Sequence, residues 1–183
     1  DIEITSGSLV LENFELSSLI MDFTSGNVDI KNTNVTSQIK STMTSGDFSL
    51  INANADSLTV SMTSGEILIE DSKILNNTYL DGTSGRIKVR NSTFEDLRTD
   101  MLSGSIYLNK IVANNVNIDI TSGKAEILII GNPDDYRVDL DITSGDIHYR
   151  GTKVKSQVLN PNGTKTLKVN GTSGDIEVDF VNE

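Results

Sequence analysis

The chain has 183 residues, with 15 Lys and Arg against 26 Asp and Glu, a formal net charge of −11. That length suits one well-buried domain or two small ones, while 14 Gly and 2 Pro exclude collagen and proline-rich linkers. The absence of Cys excludes disulfides, thiolate catalysis and Cys-based zinc sites; the acidic balance argues against nucleic acid, and a single His, His148, is poor material for a histidine-based metal or catalytic centre.

The opening residues Asp1–Gly7 already lie inside a regular pattern and do not read as a signal peptide. In the first coil Ile2 and Ile4 alternate with polar residues, Thr5-Ser6-Gly7 forms a corner, Leu9 and Leu11 follow, and Leu16 makes a third apolar contact. The second coil repeats this with Leu19, Met21 and Phe23 before Gly26, then Val28, Ile30 and Val35. The pattern recurs through corners at Gly46, Gly65, Gly85, Gly104 and Gly123, with Leu102-Ser103-Gly104 as the one variant of Thr-Ser-Gly. The spacings from Gly7 to Gly123 are 19, 20, 19, 20, 19 and 19 residues. Period two means strands with one buried face, and a fixed period of this length means a solenoid.

Beyond Gly123 the spacing lengthens to 22 residues, with Gly131–Asp135 as the extra loop before the corner at Gly145. The last interval, to Gly174, is 29 residues. Its alternating arms Val154–Leu159 and Thr164–Leu167 flank Asn160-Pro161-Asn162-Gly163, which predicts a hairpin insert over about 152–168. The whole therefore reads as all-β: a right-handed parallel β-helix of about nine coils forming a single domain over residues 1–183. No apolar run approaches the roughly 18–20 residues of a membrane span. Asn13, Asn32, Asn52, Asp71 and Asn91, each six residues after a corner glycine, predict a stacked amide ladder on the inner side of a turn.

Chemistry-bearing patterns are few. The coils are too short and even for the carboxylate-lined groove of a β-helix hydrolase or lyase, and no Ser/His/Asp or paired-carboxylate arrangement recurs. No enzyme activity and no cofactor are expected. Asp81, Asp100, Asp119 and Asp141 stand four residues before successive glycines, so in-order stacking puts them on four consecutive coils at roughly 5 Å intervals. Oxygen ligands in such a row are weak candidates for Ca²⁺, and simple repulsion predicts that neutralising Asp119 relieves strain from two like-charged neighbours. Lys153, Lys155, Lys165 and Lys168 form a locally cationic stretch, read either as edge protection or as a partner contact. A Thr column beside these Asp residues is too narrow and too charged for an ice-binding grid. Outward Ile51, Leu68, Tyr107 and Leu128 are scattered apolar positions.

The recurrent Thr-Ser-Gly-Asp-Ile, at Thr143–Ile147 and Thr172–Ile176, resembles a bacterial family of β-strand-repeat proteins described as an adhesin domain of unknown function. The resemblance covers nearly the whole chain and carries no catalytic residue. It implies an extracellular or cell-envelope scaffold that contacts an unidentified protein or glycan. The alternatives are a carbohydrate-active β-helix enzyme and a module that polymerises end to end through its strand edges.

Overall fold

Alternation of apolar and polar residues turns one side of every strand towards a common interior. The computed structural model describes residues 1–182; strands hold 85% of the chain, and among the described residues helix occurs only at the 3₁₀ turn Pro133–Asp135. The strands are β1 (Ile2–Glu12), β2 (Glu15–Leu16), β3 (Leu19–Lys31), β4 (Asn34–Ile51), β5 (Asn54–Glu70) and β6 (Lys73–Arg90). They continue with β7 (Thr93–Ile130), β8 (Tyr136–Tyr149), β9 (Thr152–Val154), β10 (Gln157–Leu159) and β11 (Lys165–Val181). Parallel pairing stacks like on like: Val28 lies beside Phe48, Phe48 beside Ile67, Ile67 beside Ile87 and Ile87 beside Ile106. All five are buried, and each such side chain contributes about 1.5–3 kcal/mol of hydrophobic stabilisation. The architecture is a parallel β-solenoid.

The Thr-Ser-Gly corner is fixed by backbone geometry. Its nine glycines have φ of 121–139°, a region that favours glycine. A Cβ on Gly26 would also overlap the carbonyl oxygen of Gly7, and the same overlap recurs at each level above. The adjacent serines tie levels together: Ser25, Ser45 and Ser84 donate to the carbonyls of Thr5, Thr24 and Thr63 at 3.3–3.5 Å.

The amide ladder differs from expectation. Asn13, Asn32, Asn52, Asp71 and Asn91 adopt φ of 47–61° and are exposed, not inside the turn. A left-handed residue interrupts the period-two alternation, so the following residue points inward. Thr33, Ser72 and Ser92 occupy that buried position and donate to the carbonyls of Lys31, Glu70 and Arg90 at 2.7–2.8 Å. One amide rung remains outside, Asn52 Nδ2 donating to Asn32 Oδ1 at 2.7 Å.

Regular three-sided winding makes about five turns, where the glycines predict nine consecutive coils. Its third side runs through Leu16, Val35, Ala55, Ile74 and Phe94 in register, then passes to Val112, whose N–H donates to the Ser92 carbonyl. Past that point the levels stack out of chain order. β11 lies between β7 and β8, parallel to both. Leu167 sits beside Val116 on one side and Val138 on the other, and the glycine ladder runs Gly123, Gly174, Gly145. The loop after β7 carries β8 one level further out, and β11 fills the gap with two parallel ladders instead of one. Tyr136, fully buried, reaches back from β8 to donate to the Ala113 carbonyl at 2.6 Å.

The hairpin is also displaced. The chain reverses at Arg150-Gly151, with φ of 51° and 71°, the two positive values a tight hairpin turn demands. β9 then pairs antiparallel with Ile147–Tyr149, and β10 pairs antiparallel with Val138–Leu140. Residues from Lys165 onward, expected as the second hairpin arm, belong to β11, where they gain parallel partners on two sides. Asn160–Gly163 is a turn that passes the chain from the cap into β11, with Asn160 donating to the carbonyls of Asp134 and Tyr136. Ser156 completes the cap by accepting from the Ile142 N–H at 3.0 Å. At the opposite end Ile2, Ile4, Leu9 and Leu11 are only half-buried, being covered from one side.

Candidate functional site

One flat outward face of β6, β7, β11 and β8 gathers most of the residues singled out by sequence. Strand alternation sets Asp81, Asp100 and Asp119 on this face, with Asp81 directly beside Asp100. Asp141 is not the next in the row. Because β11 intervenes, Asn170 lies between Asp119 and Asp141. The expected file of four adjacent like charges is thus broken by an amide, and Asn170 Nδ2 donates to Asp119 Oδ1 at 2.7 Å. Asp119 also lies 3.9 Å from Arg98, so its surroundings are not the repulsive ones predicted.

Asp100 is the hub of the cluster. It accepts from the Tyr79 hydroxyl at 2.9 Å and from Arg98 Nη2 at 3.1 Å. Arg98 lies over the Tyr79 ring, 5.7 Å from its centroid. Burial, with the bond to Asp100 and that residue's charge, pushes the Tyr79 hydroxyl up to about 12. Burial and the Asp100 charge raise Asp81 above the ordinary aspartate value. These four Asp residues, with Thr83, Thr121, Thr143 and Thr172, border a shallow groove of about 550 Å³. Among the described residues, no three His, Asp or Glu side chains gather into a group able to hold a metal ion.

A second groove, of about 570 Å³, adjoins it along the next two outward columns. Tyr79, Arg98, Asn117, Lys168 and Asp139 form one column; Asn77, Asp96, Asn115, Thr166 and Arg137 form the other. Hydrogen bonds fix the polar rungs. Asn115 Nδ2 donates to Asp96 Oδ1 at 2.6 Å, and Thr166 Oγ1 donates to Asn115 Oδ1 at 2.8 Å. Arg137 and Lys168 are exposed on the groove.

The four lysines predicted as one patch are separated. Lys168 opens on this groove, and Lys165 lies over the Tyr136 ring at 5.3 Å. Lys153 and Lys155 sit on the cap near Asp146, whose Oδ1 lies 2.6 Å from Lys153 Nζ. That bond holds the Asp146 carboxyl below its ordinary value. His148 is half-buried beside Glu177.

Sequence reading missed a basic level on another face. Arg86, Lys88 and Arg90 project from the same side of β6 and line a groove of about 320 Å³ with Tyr107 and Asn109. The signal was present as Arg86-Ile87-Lys88-Val89-Arg90, strict alternation of cations with buried apolar residues.

The family model Toastrack DUF4097 matches residues 2–179, and the chain belongs to that family. It is a family whose domain has no assigned function. No curated protein and no solved structure matches the chain. Among the described residues, no helix is long and apolar enough to cross a membrane.

Proposed function

We propose that this Toastrack DUF4097 chain is a non-enzymatic scaffold of the bacterial cell surface or envelope, presenting its flat polar face to a protein or glycan partner. The observation that carries this reading is the groove of about 570 Å³, whose Tyr79, Arg98, Arg137 and Lys168 stand on strands. Contacts borne by strands are held more precisely than contacts borne by loops. The hydrogen-bonded Asn115, Asp96 and Thr166 hold their polar atoms in place before any partner arrives, which lowers the ordering cost of binding. Compartment and adhesin character rest on the Thr-Ser-Gly-Asp-Ile resemblance. In the same reading the coil is right-handed, following the rule for parallel crossovers, and each of the nine glycines marks one level. Lys153 and Lys155 are secondary contacts on the cap.

The test is binding of the full chain to arrayed glycans and to envelope protein extracts, with an Arg137→Ala, Lys168→Ala variant, both positions exposed, beside the parent. Loss of a parent interaction with an unchanged melting temperature supports the reading. Interactions that survive the double substitution refute the assignment to this groove. For the enzyme alternative, reducing-end release from oligosaccharides should stay at background. The filament alternative is disfavoured by the cap, since β9 and β10 cover the outer edge of β8 with antiparallel strands. Light scattering should therefore be independent of concentration.

A further inference from the structure

Concentrated positive charge is unexpected on a chain of net charge −11. Yet Arg86, Lys88 and Arg90 occupy all three outward positions on one side of one level. Alternate residues of a strand are about 6.6–6.8 Å apart on the same face, so the three cations form a straight row. Neighbouring levels of this face carry Glu66, Leu68 and Glu70 on one side and Ser105, Tyr107 and Asn109 on the other. Further out come Lys124, Glu126 and Leu128 and then, on β11, Asp175, Glu177 and Asp179, with Lys124 paired to Glu126 and Glu177. The cationic row is thus framed by acid and opens towards Tyr107 and Asn109.

Internal compensation of the row is incomplete. Arg86 Nη1 and Lys88 Nζ both reach Glu66 Oε2 at 3.0 Å, so one carboxylate serves two cations. Arg90, exposed beside Glu70 and Asn109, makes no ion pair among the described residues. Positive charge therefore remains along the groove, and Glu66 occupies the place an incoming anion would take.

We infer that the groove over Arg86, Lys88, Arg90, Tyr107 and Asn109 binds a linear acidic glycan, with Glu66 as its internal competitor. A polymer bearing regularly spaced carboxylates matches a regularly spaced row of cations, and guanidinium groups suit paired hydrogen bonds to carboxylates. Tyr107, directly beside Lys88, supplies an aromatic wall for the apolar side of a sugar ring, and Asn109 supplies an amide for its hydroxyls. An acidic peptide would use the cations alone. This site lies apart from the groove of Tyr79 and Lys168, and it stands or falls separately from it.

The experiment titrates the full chain with oligogalacturonate by calorimetry, with dextran of equal length and polyglutamate as comparisons. Binding to oligogalacturonate should weaken as salt rises, since exposed charges are screened. Arg86→Gln with Arg90→Gln should weaken it about tenfold, at a few-fold per exposed charge contact. Glu66→Gln should tighten it by about two- to fivefold, because the carboxylate that occupies the row is gone. Lys40→Gln with Lys73→Gln, exposed positions outside both grooves, should leave it unchanged. Circular dichroism melts confirm that each variant folds, as expected for surface substitutions. No binding, unchanged binding in the Arg86, Arg90 variant, a Glu66→Gln variant that binds no better, loss of binding in the Lys40, Lys73 variant, or tighter binding of polyglutamate would each overturn the inference.

Discussion

Thr99 is fully buried in the solenoid interior beside Leu80, and its hydroxyl has no hydrogen-bond partner. A buried hydroxyl left unpaired costs about 1–3 kcal/mol. Thr99→Val replaces that hydroxyl with a methyl group of similar size on the same β-branched frame, so the side chain need not change rotamer. The substitution removes the unpaired polar atom and buries extra apolar surface, worth at most about 0.8 kcal/mol for a methyl-sized group. The expected net effect is a gain of about 1–3 kcal/mol. Urea unfolding measures it as a higher midpoint with an unchanged slope, and a chain of this size should melt about 2–4 °C higher per kcal/mol. Ser41, equally buried and unpaired, offers a control in Ser41→Ala, which should be neutral or mildly stabilising. A Thr99→Val protein that is less stable than the parent would refute the reasoning, because it would mean that the hydroxyl is bonded in solution.

Gly65→Ala should destabilise by at least about 3 kcal/mol, combining backbone strain with overlap on the Gly46 carbonyl. Gly151→Ala, at φ 71° with open space around it, should cost only about 1–2 kcal/mol, and equal losses at the two sites in denaturant titrations would contradict the stacking argument. Asp81 has a folded pKa raised by burial and by Asp100, so its ionised form lowers stability at neutral pH. Asp81→Asn should therefore stabilise slightly at pH 7, by about 0.5 kcal/mol or less. That gain should fade as pH falls through the raised pKa and vanish below the ordinary value of 3.8, a trend that melts across pH would test. Melts in Ca²⁺ and in chelator should coincide, since Asn170 interrupts the Asp row; a Ca²⁺-dependent rise would place an ion there.

What could be read from the sequence follows from what each residue must do locally. The Thr-Ser-Gly corner was legible because glycine alone tolerates both the positive φ and the close approach of the level below. Inward columns such as Val28, Phe48, Ile67, Ile87 and Ile106 were legible because alternation fixes which face is buried. Level order was not. Leu167, Val169, Ile176 and Val178 carry the same inward pattern as every other level, so they fit equally well beside β7 or outside β8. Only the longer spacings near Gly131 and Asn160 marked the departure. Turn chemistry misled at the cap for a related reason: Asn160-Pro161-Asn162-Gly163 is a turn, but the strands it joins find better partners elsewhere. Arg150-Gly151 has weaker turn composition and makes the hairpin because β9 can cover the open edge of β8. The Asp file was misread through the same error of order, since Asn170 reaches it only by the insertion of β11.

That insertion also decides when the candidate face comes into existence. Asn170 bonds Asp119 and Thr166 bonds Asn115 across a sequence separation of 51 residues. Until β11 is seated, β7 and β8 have facing parallel edges with no common partner, and the groove of about 570 Å³ lacks Thr166, Leu167 and Lys168. Contacts this distant in sequence close late, because loop-closure entropy must be met before the contacts that offset it can form. The regular turns before Ala113 need only neighbours 19 or 20 residues away. The candidate face therefore sits where the fold is least local, and Arg137, Asp139, Thr166 and Lys168 reach their outward columns only when the final strand is in place. A groove assembled this way reports completion of folding: a chain arrested before β11 docks would retain the regular turns and lack the face.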